Sequence, residues 1–198
     1  MAYDAAQTRT NLLDAAFNEF AERGFAGARI SRIAEVAAAN KQAIYLYFTS
    51  KEGLFDAVLA NRLGILADAV PFTPEDLPGY IAALFDHFVE DPRLLRLTQW
   101  KDLERPEPSP PEVDSHLSKA QTLAQTYRLS DAEGMDILML TLSMAKAWPT
   151  TGLAVRDIGQ DDDTRRRQHR QMLVAAVATL VADRSDRGEA RSAERRPG

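Results

Sequence analysis

The chain of 198 residues contains no cysteine. Disulfides, thiol nucleophiles and cysteine-held metals are therefore excluded, and a reducing compartment, the cytoplasm, is expected. No stretch approaches the roughly 20 consecutive apolar residues of a membrane helix, so no membrane partner is expected. The opening residues, MAYDAAQTRTNLLDAAF, lack the basic-then-apolar order of a secretory signal. There is no strand-like alternation, no internal repeat, no glycine-rich phosphate loop and no nucleophile elbow. Histidine is scarce: His87, His116 and His169 fall in three different predicted helices, and none forms an H-x-x-x-H or E-x-x-H pair. No catalytic residue, metal site or cofactor is expected. The acids Asp161 to Asp163 could suggest a metal, but they also suit the positive start of a helix.

What is present is helical periodicity, on a background of 45% hydrophobic residues. The expected fold is all-α with about nine helices. In QTRTNLLDAAFNEFAERG, Leu13, Phe17, Phe20 and Ala21 share a face, and Gly24 stands where a C-terminal cap belongs. Ile30, Ile33, Ala34 and Ala37 mark a second helix. A third, about Lys41 to Tyr47, has Asn40 as N-cap, and Ser50 caps a fourth whose inward face includes Leu54, Phe55, Val58, Leu63 and Leu66. Later helices follow from Pro74, from Pro92, after the loop RPEPSPP, from Ser130, and from the acids at 161. The tail RSDRGEARSAERRPG has almost no apolar residues and is expected to be disordered.

The third helix is short and buries little. At 100° per residue, Ile44 and Phe48 face inward, while Gln42, Ala43 and Leu46 face out with Tyr45 and Tyr47 at the edges. Two short helices around a tight turn, supported by a preceding helix, form a helix-turn-helix. Its outer face needs no core because a DNA groove covers it. Gln42 can pair with adenine, and Ala43 and Leu46 can meet a thymine methyl. Lys41, Lys51 and the tyrosine hydroxyls can reach phosphates. The tyrosines can instead pack between helices. The whole chain carries a net charge of −5, yet residues 23–51 hold five basic side chains and one acid, Glu35. That local excess fits a polyanion, or an ordinary solvated face.

From Leu12 to Val58 the sequence LLDAAFNEFAERGFAGARISRIAEVAAANKQAIYLYFTSKEGLFDAV resembles the TetR family of bacterial transcriptional repressors. The resemblance rests on Phe20, Gly24-Phe25, Ile33-Ala34, Ala37, Tyr45, Tyr47-Phe48 and Ser50-Lys51-Glu52. It implies a DNA-binding domain over 1–50, an effector-binding and dimerisation domain over 51–183, and a tail over 184–198. It implies double-stranded operator DNA, a small apolar or amphipathic effector and a second copy of the chain as partners. Arg29, Ser31 and Asn40 join Lys41, Gln42, Ala43, Tyr45, Leu46, Tyr47 and Lys51 as DNA-binding residues. The chain departs from the family pattern at Arg29 (usually threonine), at Ala38 (usually glycine) and at Asn40-Lys41-Gln42 (usually Ser-x-Gly). The alternative is a helical small-molecule-binding protein or enzyme that has lost DNA binding.

Aromatic, methionine and polar residues in the second domain suggest a ligand pocket of Tyr80, Leu84, His87, Phe88, Trp100, Met139, Ser143 and Trp148. Each of these also fits an ordinary core. The helix after Ser130 is apolar on every side, as a helix shared with a partner would be. Together with the last helix it suggests a two-fold, four-helix interface of Leu138, Leu142, Met172, Leu173, Val177 and Leu180.

Overall fold

The computed structural model describes residues 2–156 and 161–194, with side chains described for residues 5–156 and 161–182. Among them are ten α-helices, one 3-10 turn at Pro74–Asp76 and no strand. The helices are α1 (Ala2–Gly27), α2 (Ile30–Val36), α3 (Lys41–Phe48), α4 (Lys51–Ala69), α5 (Leu77–Glu90), α6 (Arg93–Glu104), α7 (Pro110–Tyr127), α8 (Asp131–Thr150), α9 (Leu153–Arg156) and α10 (Asp162–Glu194). The all-α expectation holds. The helix count rises because four residues, Leu153–Arg156, wind into α9 within the expected loop.

Two compact units divide the chain. The first is Met1–Ala69 with Asp91–Glu107, and the second is Val70–Glu90 with Pro108–Gly198. This differs from the expected boundary after residue 50. Leu54, Phe55 and Val58 on α4 are fully buried with Phe20 and Ile44, so α4 completes the first core and cannot be parted from it. α6 also returns to that unit and packs along α1. The expected tail is corrected in part: α10 runs on to Glu194, through a stretch rich in the good helix formers Ala, Arg and Glu. Residues 195–198 lie outside the described residues.

In the first unit the Phe20 and Phe55 rings meet edge-on at 5.0 Å, and Phe25 meets Phe55 at 5.6 Å. α1 breaks at Gly24, whose φ of 70° and ψ of 179° suit glycine alone. A Cβ there would also lie 2.8 Å from the Trp100 ring. The Glu104 carboxylate accepts from the amides of Phe25 (2.5 Å) and Ala26 (3.2 Å), which the break leaves without helical partners.

The second unit buries a stripe from each of three helices. These are Tyr80, Ile81, Leu84, Phe85 and Phe88 on α5; Ile137, Leu138, Thr141, Ala145 and Trp148 on α8; and Leu173 and Val177 on α10. α7 lies so close to α8 that a Cβ on Gly134 would overlap the Ala120 carbonyl oxygen. α8 opens with a reciprocal cap between Ser130 and Glu133.

Candidate nucleic-acid interface

The helix-turn-helix is built outward from α1. Glu19, near the end of α1, is nearly buried, and its carboxylate accepts from the Arg29 amide (2.9 Å) and from Arg32 Nε (3.0 Å) and Nη2 (2.5 Å). Burial pushes this carboxyl up. The hydrogen bonds from Arg32 and the Arg29 amide, with the charges of Arg32 and Arg23, overcome that and hold it below its ordinary value of 4.5. One side chain therefore fixes the start of α2 to α1. A depressed folded-state pKa means that the stabilisation is complete above the ordinary pKa and is lost as pH falls through the lowered one. Glu19→Gln should destabilise the protein by about 2 kcal/mol at neutral pH. The gap between variant and parent in urea unfolding should close below pH 4.5.

Ala38 takes the left-handed conformation, with φ of 51°, in the turn after α2. The turn's amides are satisfied nonetheless: Ala38 donates to Glu35 O and Ala39 to Ala34 O. An L-residue in this region costs about 1–2 kcal/mol. Glycine removes that cost but adds unfolded-state entropy worth about 0.5–1 kcal/mol. Ala38→Gly should therefore raise stability by about 0.5–1 kcal/mol, read as a higher thermal midpoint with an unchanged far-UV spectrum.

Asn40 caps α3, its Oδ1 accepting from the Ala43 amide at 2.8 Å. Ile44 and Phe48 point into the core, and the Arg9 guanidinium lies over the Phe48 ring. On the outside Lys41 and Gln42 are exposed, Tyr45 is 53% exposed and Leu46 80%. Ala43 is half-buried beneath them, and Arg29 and Ser31 are exposed at the start of α2. Val36 is 72% exposed at the end of α2. Sequence reasoning passed over it because a β-branched aliphatic reads as core.

Two expected DNA contacts are occupied within the unit. Lys51 is half-buried, with Nζ donating to the Ala28 carbonyl at 2.7 Å and lying 4.8 Å over the Phe25 ring. The Tyr47 hydroxyl donates to the Ala5 carbonyl at 3.3 Å. Both tie α3 and α4 to the surrounding chain. Ser50 Oγ accepts from the Gly53 amide and caps α4.

In the second unit Tyr80, Leu84, Phe88 and Trp148 are buried, and His87 is half-buried. Three of the expected pocket residues are not with them. Trp100 belongs to the first unit, against Gly24. Met139 and Ser143 are exposed, because they lie on the far side of α8 from Leu138, Thr141, Ala145 and Trp148. The residues expected at the interface divide in the same way. Leu138, Leu173 and Val177 fill their own unit's core, Leu142 and Leu180 are half-buried, and Met172 alone is exposed, at 71%. Sequence reasoning also missed His169, whose ring meets Trp148 and Phe85. No metal-binding group of His, Asp and Glu exists among the described residues, and no described helix is long and apolar enough to cross a membrane.

A helix-turn-helix with an outward polar and aromatic face, in a chain with a second, all-helical unit, defines the class of helix-turn-helix regulators. Residues 12–58 match the model for bacterial regulatory proteins of the tetR family, and residues 76–179 match the Tetracyclin repressor-like C-terminal domain. The chain belongs to the TetR family. It is 46% identical over 103 residues to the HTH-type transcriptional repressor SCO4008 of Streptomyces coelicolor, covering 52% of this chain and 54% of that one. It is 32% identical over 111 residues to the HTH-type transcriptional repressor NicS of Pseudomonas putida, covering 52% of each. The chain thus spans about half the length of these curated relatives. The crystal structure of SCO4942 from Streptomyces coelicolor superposes with a TM-score of 0.74 at 34% identity, covering 87% of this chain and 97% of that one.

Proposed function

We propose that the protein is a cytoplasmic, dimeric, DNA-binding repressor, released from a palindromic operator by a small molecule held in the second unit. The observation that carries this reading is the outer face of α3. Gln42, Tyr45 and Leu46 are exposed there on a helix whose other side is locked into the core. No such face is needed by a structural helix or an enzyme scaffold. A mobility shift with the DNA around the protein's own gene tests the reading, and complete absence of salt-sensitive binding would sink it.

Lys41 contacts a phosphate, whereas Lys51 acts by holding the loop before α2. Lys41→Ala should therefore weaken specific and random DNA alike and flatten the salt dependence by about one unit of slope. Lys51→Ala should weaken binding with the slope unchanged, and an equal change of slope in both variants would return Lys51 to the phosphate set.

The outer faces of α8 and α10 pair with their copies across a two-fold axis. Met139, Leu140, Ser143 and Ala147 on α8, and Met172, Ala175, Ala176 and Thr179 on α10, are all exposed and small or apolar. The chain crosses between its units at 69/70, 90/91 and 107/108. α4 and α6 therefore both carry effector-dependent shifts to the reader. An effector changes operator affinity only by its differential affinity for the two states, commonly about 1–3 kcal/mol.

A further inference from the structure

Three unpartnered polar atoms belong to the second unit: Thr141 Oγ1, Arg156 Nε and Arg165 Nε. Trp148 ends the inner stripe of α8, 5.2 Å from the His169 ring, which lies 5.7 Å from Phe85. The Arg156 guanidinium lies 4.5 Å over the Trp148 ring. Arg165, one turn before His169 on α10, sets its charge beside the imidazole. Arginines against an apolar core ordinarily bring carboxylates with them. Here Arg156 has a 3.7 Å approach to Asp162, and Arg165 a 3.4 Å bond to the Gln168 side chain. The Nε of each is buried with no hydrogen-bond partner. Nε and one Nη form the guanidinium edge that grips a carboxylate through two parallel bonds.

Thr141 lies seven residues before Trp148, on the same stripe of α8. It is 0% exposed, and its Oγ1 has no partner. A mid-helix threonine commonly bonds the carbonyl four residues back, and this one does not. Each orphaned group of this kind is costly, so three in one unit call for a partner from outside the chain. Burial and the Arg165 charge hold the His169 pKa down, so the ring faces a ligand as a neutral surface at pH 7.

We infer that this end of the second unit recognises an aromatic carboxylate. The carboxylate takes the free Nε edges of Arg156 and Arg165, the ring lies against Trp148 and His169, and a polar substituent at the far end reaches Thr141. Two helical turns separate the two ends, about 10 Å, which suits a single ring with a short conjugated arm. The inference rests on the reading that the second unit holds the effector.

The test uses the full chain and four probes: cinnamate, 4-hydroxycinnamate, cinnamamide and cinnamyltrimethylammonium. Binding is read by calorimetry and by quenching of tryptophan fluorescence. Cinnamate should bind at least about tenfold more tightly than cinnamamide, and the cation should not bind. Arg165→Gln and Arg156→Gln should each bring cinnamate down toward the amide. Arg165→Lys, which keeps the charge but loses the planar edge, should recover part of the difference. Thr141→Val should leave cinnamate unchanged and cancel the advantage of 4-hydroxycinnamate. Helical circular dichroism checks that each variant is folded. Equal affinity for acid and amide, preference for the cation, or no binding of any probe by the folded protein would overturn the inference. DNA binding measured on the same preparation keeps the two questions separate: DNA binding without the acid preference removes the inference alone, and loss of DNA binding removes the regulator reading.

Discussion

Charging the outer faces of α8 and α10 together, with Met139→Glu and Met172→Glu, should break the proposed dimer and leave a folded monomer. Both side chains are half or more exposed in the single chain, so neither change touches the core. In a two-fold pair four carboxylates would face an apolar surface, and like charges there cannot be desolvated without large cost. Light scattering should report half the parent mass, with an unchanged helical spectrum. Operator affinity should fall by about 10²–10⁴-fold, because the second half-site is then bound from solution and no longer at the high effective concentration that linkage provides. Val177→Glu offers a control of a different kind. Val177 is fully buried, so that charge should unfold the second unit outright. A double variant that stays dimeric places the interface on another surface.

The second large effect belongs to Gln42. Its side chain is exposed in the second position of α3, directly after Lys41, and its amide can pair with N6 and N7 of adenine. Gln42→Ala should cost about 1–3 kcal/mol on the preferred operator and almost nothing on random DNA. The loss should concentrate at one base position in each half-site. A selection from random duplexes compares the two proteins. An unchanged base preference would remove Gln42 from the reading set and pass the role to Tyr45 or Leu46.

The reader was legible because short helices leave few choices. Ile33, Ala34, Ile44 and Phe48 are spaced so that only one side of each helix can be buried, and they are buried. The expected cap at Asn40 and the break at Gly24 are both present, since each follows from local backbone chemistry. α8 was not legible in the same way. It has two apolar faces, and periodicity does not say which meets its own core and which is left outside. Leu138, expected at an interface, lies in the core, and Met139 and Ser143, expected in a pocket, are exposed. Lys51 shows a second limit. Its position suits a phosphate, but a carbonyl and an aromatic ring of its own unit lie within reach, and sequence spacing carries no record of them. Trp100 shows a third. Helix order along the chain suggested the second unit, yet α6 returns to the first.

The most direct measurement is selection of DNA by the unmodified protein from a library of random duplexes, followed by binding of the enriched sequence across a range of salt concentrations. Two copies of α3 related by a two-fold axis should enrich an inverted repeat, with half-site centres separated by one helical turn, roughly 10–10.5 base pairs, or a multiple of it. Binding to that repeat should weaken steeply as salt rises. Enrichment of no sequence, or of a single unrepeated half-site by a protein that is dimeric in solution, would contradict the account.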